Sequence, residues 1–174
     1  NKLTTKKGQN RAVFSKGFKY YINYHSSANT PNYITLHGGT GIEKRVLKDN
    51  AELLKELEKF NISQQEFFTF NTNEGTNLNA WMIKPQDFDE SKKYPVLMYV
   101  YGGPGAQTVK NSWGGSNFFW YQLLASKGYI IVSVDNRGTG SRGSEFKKCT
   151  YKQLGKYETI DPIESAKYLQ SLSF

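Results

Sequence analysis

The residues best suited to chemistry lie in "YVYGGPGAQ", residues 99–107, where an apolar run ends in a phenol and a knot of glycines. A simple turn needs one glycine, or two. Gly102, Gly103 and Gly105 suggest a backbone that something must approach closely. A strand followed by a glycine-rich loop before the first helix is where α/β-hydrolases place oxyanion-hole donors. Such donors must face the point where negative charge develops on an attacked carbonyl, and a Tyr hydroxyl serves as well as a backbone N–H. On spacing alone Tyr101 is equally well read as a core aromatic above an ordinary turn.

Other groupings carry less. "GTGSRG", residues 138–143, matches the letters of a dinucleotide-binding fingerprint and follows a strand. Yet Asp135, Asn136 and Arg137 intervene before the first glycine, and "SEFKKCTYKQLGK" does not open as an amphipathic helix. The acid expected about twenty residues on would be Glu158 or Asp161, and both begin a helix instead of ending a strand. The phosphate-binding reading is therefore set aside. His25 and His37 lack His-x-x-x-His spacing and a neighbouring Cys or carboxylate cluster, so neither metal nor cofactor is expected. The single cysteine, Cys149, excludes an internal disulfide framework and reads as an inert thiol. No serine sits in G-x-S-x-G, and no histidine follows His37, so these residues alone cannot assemble a Ser-His-Asp triad.

The elements that must position Tyr101 follow from periodicity. "YPVLMYVY" and "YIIVSVD" are continuous apolar runs, the pattern of central strands covered on both faces. Between them "NFFWYQLLASKG" places Phe118, Tyr121 or Gln122, and Ala125 at helical spacing, with Gly128 as a C-terminal stop. "EFFTFNTNEGTNLNAWMIKP" reads as a strand pair, Phe67 to Phe70 and Leu78 to Ile83, around an Asn-Glu-Gly bend. "YETIDPIESAKYLQSLSF" reads as a helix with Ile160, Ile163, Ala166 or Lys167, and Leu169 or Gln170 marking its period. Its acids lie early, and Pro162 fits only within the first turn. Residues 64–174 thus predict β-β-β-α-β-α, a doubly wound α/β arrangement that stops on a helix, as if cut in half.

Upstream, residues 11–47 predict about three strands of a meander, with "HGGTG" as a turn. "DNAELLKELEKF" sets Leu53, Leu54, Leu57 and Phe60 on one helical face, with Asp49 or Asn50 as cap, a connector between two β-containing regions. The predicted division is therefore residues 1–50, 51–63 and 64–174. The net charge of +8 comes as scattered lysine pairs, not a stripe, so a solvated basic surface is favoured over nucleic acid. No apolar run approaches the ~18 residues of a membrane span, and no apolar core follows the N-terminal lysines to make a signal peptide.

The segments "KKYPVLMYVYGGPGAQTV", "WYQLLASKGYIIVSVDNRGTGSRGSEFKK" and "LGKYETIDPIESAKYL" resemble the prolyl oligopeptidase family, in its dipeptidyl peptidase IV branch. "RVLKDNAELLKELEKF" resembles the segment that joins this family's β-propeller to its hydrolase domain, and "EFFTFNTNEGTNLNAWMIKP" resembles that domain's first strands. The resemblance implies a partial α/β-hydrolase domain, 64–174, preceded by closing strands of a β-propeller, 1–50, and a linker helix, 51–63. It implies a serine exopeptidase releasing X-Pro dipeptides from peptide N-termini, with Tyr101 as an oxyanion-hole donor. A prolyl tripeptidyl aminopeptidase and a non-catalytic hydrolase-like binding domain are the alternatives. It implies that "DNRGTG" shapes the neighbouring loop and assigns no catalytic role to Asp135 or Arg137. The family's nucleophilic serine, acid and histidine would lie beyond Phe174, and its amine-binding glutamates before Asn1, so the chain alone is expected to be inactive. The implied partner is a peptide with proline at its second position, and the implied parent is a homodimer in a periplasmic, cell-envelope or secreted setting.

Overall fold

A computed structural model describes residues 2–114 and 116–174. They group into two compact units, residues 1–62 with 110–119, and residues 63–109 with 120–174.

The first unit is an antiparallel meander in the order β1-β2-β3-β4, from β1 (Gln9–Phe14), β2 (Tyr20–Ser27), β3 (Thr30–Gly38) and β4 (Glu43–Lys48). That is one strand more than the sequence suggested. Its interior is unusually polar. Tyr21 stacks on His37 at 4.8 Å, and the His37 ring nitrogens lie 2.7 Å from Thr35 Oγ1 and 3.0 Å from the Gly41 carbonyl. His25 Nε2 lies 3.1 Å from the Lys7 carbonyl. Both histidines are thus tied into local structure. Helix α1 (Ala51–Leu57) is shorter than expected and buries no residue. Of the two proposed caps, Asp49 accepts the Ala51 N–H at 3.1 Å, while Asn50 takes a left-handed φ of 56° and turns its amide to the Asn32 carbonyl. Residues 110–119 belong to this unit through Asn111 Oδ1, which accepts the Ala28 N–H at 2.9 Å, and the Trp113 N–H, which donates to Ser26 Oγ at 3.3 Å.

The second unit is α/β. Its sheet runs β5-β6-β8-β7, built from β5 (Gln65–Asn71), β6 (Asn77–Ile83), β7 (Val96–Tyr99) and β8 (Ile130–Asp135). β5 and β8 each pair antiparallel with β6, and β7 pairs parallel with β8. Alternation along the strands separates two cores. On one face Leu78, Ala80, Met82, Ile130, Val132 and Val134 meet Phe70 and Leu169. On the other, Trp81, Ile83 and Ile131 meet Tyr121 and Ala125 of α2 (Ser116–Ser126). The expected face of α2 is the buried one, since Phe118, Tyr121, Gln122 and Ala125 are all inside. Its end is closed as Gly128 takes a φ of +85° and donates to the Ala125 carbonyl, while Tyr129 donates to Leu124.

Three expectations need correction. β8 is buried at every residue, but β7 is only four residues long, lies at the sheet edge among the described residues, and leaves Val96 and Tyr99 exposed. An apolar run marks a strand and not its place in the sheet. A short helix, α3 (Ser144–Lys148), does form after the glycine loop, though it buries nothing. Finally, α4 (Lys156–Gln170) begins early enough that Pro162 falls in its second turn. The start is held by Glu158, which accepts the Gly155 N–H at 3.1 Å. The buried face is Asp161, Ser165 and Leu169, whereas Ile163 is 50% exposed.

Candidate active site

Tyr101 stands two residues past β7, at the mouth of a loop that runs on to Val109. The ring is 64% exposed, so it is not a core aromatic. It lies beside Gly103, where an added Cβ would come within 2.9 Å of Tyr101 Cε1. Gly102 and Gly105 take φ values of +80° and +76°, a region that side chains strongly disfavour. Three glycines thus do two jobs: two let the chain reverse, and one makes room for the phenol.

The loop is held by the end of β8 and the residues that follow it. One Asp135 carboxylate oxygen accepts the Thr108 N–H at 2.7 Å, the Thr108 hydroxyl at 3.0 Å and the Val109 N–H at 3.1 Å. Trp81 Nε1 donates to the Thr108 carbonyl at 3.2 Å, fixing the same residue from the other side. The Ser133 hydroxyl donates to the Tyr99 carbonyl at 2.8 Å. In the middle of the loop the Gly105 N–H donates to the Gly138 carbonyl at 2.8 Å. Next to Tyr101, Asn136 Nδ2 donates to the Gly102 carbonyl at 3.3 Å and to the Arg137 carbonyl at 2.6 Å.

This bracket is itself anchored by charge. Arg137 Nε and Nη2 donate to Asp161 at 3.0 and 2.6 Å, and the Arg137 backbone N–H adds a bond to Asp161 Oδ2 at 2.7 Å. Glu74 takes the remaining face of the guanidinium, which lies 4.1 Å from the Tyr157 ring centroid. The bonds from Asp161, opposed by burial, hold the guanidinium in its charged form more firmly than usual. Glu74 is held below the ordinary glutamate range, chiefly by its hydrogen bond from Arg137. A buried pair with each oxygen engaged is a geometry in which attraction can offset desolvation.

The sequence singled out Tyr101 and its glycines, and they do lie together. It did not single out Glu74 or pair Asp161 with Arg137. It gave Asp135 and Arg137 no catalytic role, and the family resemblance implied only that "DNRGTG" shapes the neighbouring loop. "GTGSRG" forms no phosphate cradle at a helix start: its first glycine, φ +99°, donates to the Phe146 carbonyl and packs on Thr150. Cys149 donates to the Phe146 carbonyl, and burial pushes its thiol up, away from the thiolate.

A parallel-edged sheet with helices on both faces, and a glycine loop carrying a phenol at a strand's C-terminal end, together describe an α/β unit. Residues 116–174 match the prolyl oligopeptidase family model. Over those residues the chain is similar to that family. It is 37% identical to a probable dipeptidyl peptidase 4 of Emericella nidulans over 164 residues, 92% of this chain and 21% of that protein. It is 40% identical to a probable dipeptidyl-aminopeptidase B of Arthroderma benhamiae over 142 residues, 82% of this chain and 14% of that one. The crystal structure of Porphyromonas gingivalis dipeptidyl peptidase 4 superposes with a TM-score of 0.95 at 43% identity, covering 100% of this chain and 24% of that chain. The chain therefore spans about a fifth of the relatives it matches.

Proposed function

We propose that this chain is a portion of a serine exopeptidase that removes dipeptides from peptide N-termini, with proline favoured at the second position. In this reading residues 64–174 are the N-terminal half of an α/β-hydrolase domain, residues 1–50 are closing strands of a β-propeller, and 51–63 join the two. The four-stranded antiparallel meander and the β5-β6-β8-β7 order are consistent with that division. The names borne by the relatives support the activity.

The observation that carries the proposal is the exposed Tyr101 hydroxyl on a glycine loop at the end of a parallel strand. A serine oxygen, supplied from outside this chain, attacks the carbonyl carbon that follows proline. The carbonyl oxygen takes up the electron pair, and the Tyr101 hydroxyl donates a hydrogen bond to it. Because the donor strengthens its bond as charge builds, it favours the transition state over bound substrate. In the complete enzyme, Tyr101→Phe is expected to lower kcat by about 10²–10³ with little change in KM. Steady-state kinetics on an X-Pro chromogenic dipeptide tests it, and an unchanged kcat overturns the assignment.

A further inference from the structure

We propose that Asn136 is a positioning residue for Tyr101, acting through the Gly102 carbonyl. The inference rests on the oxyanion reading of Tyr101 and adds to it a residue that does not touch substrate.

Tyr101 has no side-chain hydrogen bond of its own among those described, and its ring packs beside Gly103. Its placement must then come through the backbone. Immediately after it, Gly102 is in the left-handed region with a φ of +80°, a conformation glycine leaves easily. What restrains that peptide is Asn136. The side chain is 1% exposed, and its amide spans the Gly102 carbonyl at 3.3 Å and the Arg137 carbonyl at 2.6 Å. The second bond ties it to rigid ground, because the Arg137 N–H and guanidinium are both fixed to Asp161, which is 0% exposed. An amide suits this place. It offers two donors to two carbonyls, which neither a carboxylate nor an aliphatic side chain can supply. The far end of the loop has separate restraints, Asp135 on Thr108 and Val109, so loss of Asn136 frees the Tyr101 end specifically.

Reacting groups tolerate little misplacement, and about 1 Å can cost roughly 100-fold in rate. In the complete enzyme, Asn136→Ala is expected to lower kcat about 10- to 100-fold with KM nearly unchanged. Asn136→Asp, which keeps the shape and loses the donors, should behave alike. The decisive measurement is the double variant. If Asn136 works through Tyr101, adding Asn136→Ala to Tyr101→Phe costs little more than Tyr101→Phe alone. Thermal melts of each variant accompany the kinetics. Equal losses with tyrosine or phenylalanine at position 101 overturn the proposal, and so does an undiminished kcat. Collapse of the fold in both Asn136 variants would make Asn136 a folding determinant and overturn it too. If instead Tyr101→Phe alone leaves kcat intact, the oxyanion reading has failed, and that single variant reveals it separately.

Discussion

The segments that leave β7 and β8 lie side by side and are built in opposite senses. After β7 come Val100 and Tyr101, apolar and aromatic groups that are exposed. β8 ends in Asp135, and after it come Asn136, Arg137 and Thr139, all polar or charged groups that are buried. The usual expectation would reverse the two. Within that buried set Asp135 and Asn136 hydrogen-bond mainly to backbone, which gives a loop a fixed shape, and Arg137 is held by Asp161 and Glu74. The exposed phenol makes no side-chain hydrogen bond among those described, as the proposed role of oxyanion donor requires. Rigidity and reactivity are thus assigned to neighbouring strand ends.

The sharpest way to break this contrast is to remove the charge that anchors the buried side. Arg137→Met leaves Asp161 without its partner in a site closed to solvent, and such a loss typically costs about 3–5 kcal/mol. Urea unfolding of the complete protein should show it. Replacing both residues, Arg137→Met with Asp161→Leu, should cost less than the single change. On the exposed side Tyr101→Phe should act on rate alone. Its effect on stability should stay within about 0.5 kcal/mol, as for other surface changes. A large fall in melting temperature would mean that Tyr101 is structural after all.

Two glycines sharpen the comparison further. At Gly138 a Cβ would meet Thr150 Cγ2 at 2.7 Å, and the φ of +99° is itself unfavourable. Gly138→Ala should therefore destabilise by about 1–3 kcal/mol. Gly103→Ala would press its methyl against the Tyr101 ring, so kcat should fall with little loss of stability. The smallest effect belongs to Glu74. Its pKa is lowered in the folded state, so its contribution is complete above the ordinary glutamate range. That contribution fades as pH falls through the depressed value. Glu74→Gln should accordingly lower the melting temperature slightly at neutral pH and leave it nearly unchanged in acid, flattening a small part of the acid limb in a pH series of melts.

Much of this was legible from local pattern. The apolar run of β8, the pair β5 and β6, and the face of α2 all follow from periods of two or 3.6 residues, which depend on neighbours in the chain. Tyr101 was legible as a candidate because three glycines cluster beside it, and only a demanding backbone needs that. The helix α4 was found, but its orientation was misjudged. Asp161 looked like one of several acids suited to a helix N-terminus, and Ile163 looked like core. Nothing local distinguishes an acid facing water from one facing a guanidinium 24 residues earlier in the chain.

The amino-acid sequence by itself determined where strands and helices form, which helix face α2 buries, and which loop must bend tightly. These properties are set by side-chain shape and polarity over a few residues. The tertiary structure alone decided that Asp161 faces inward and that Asn136 holds the Gly102 carbonyl. Each of these depends on partners distant in sequence. A buried polar group reveals its purpose only when its hydrogen-bonding partner is known.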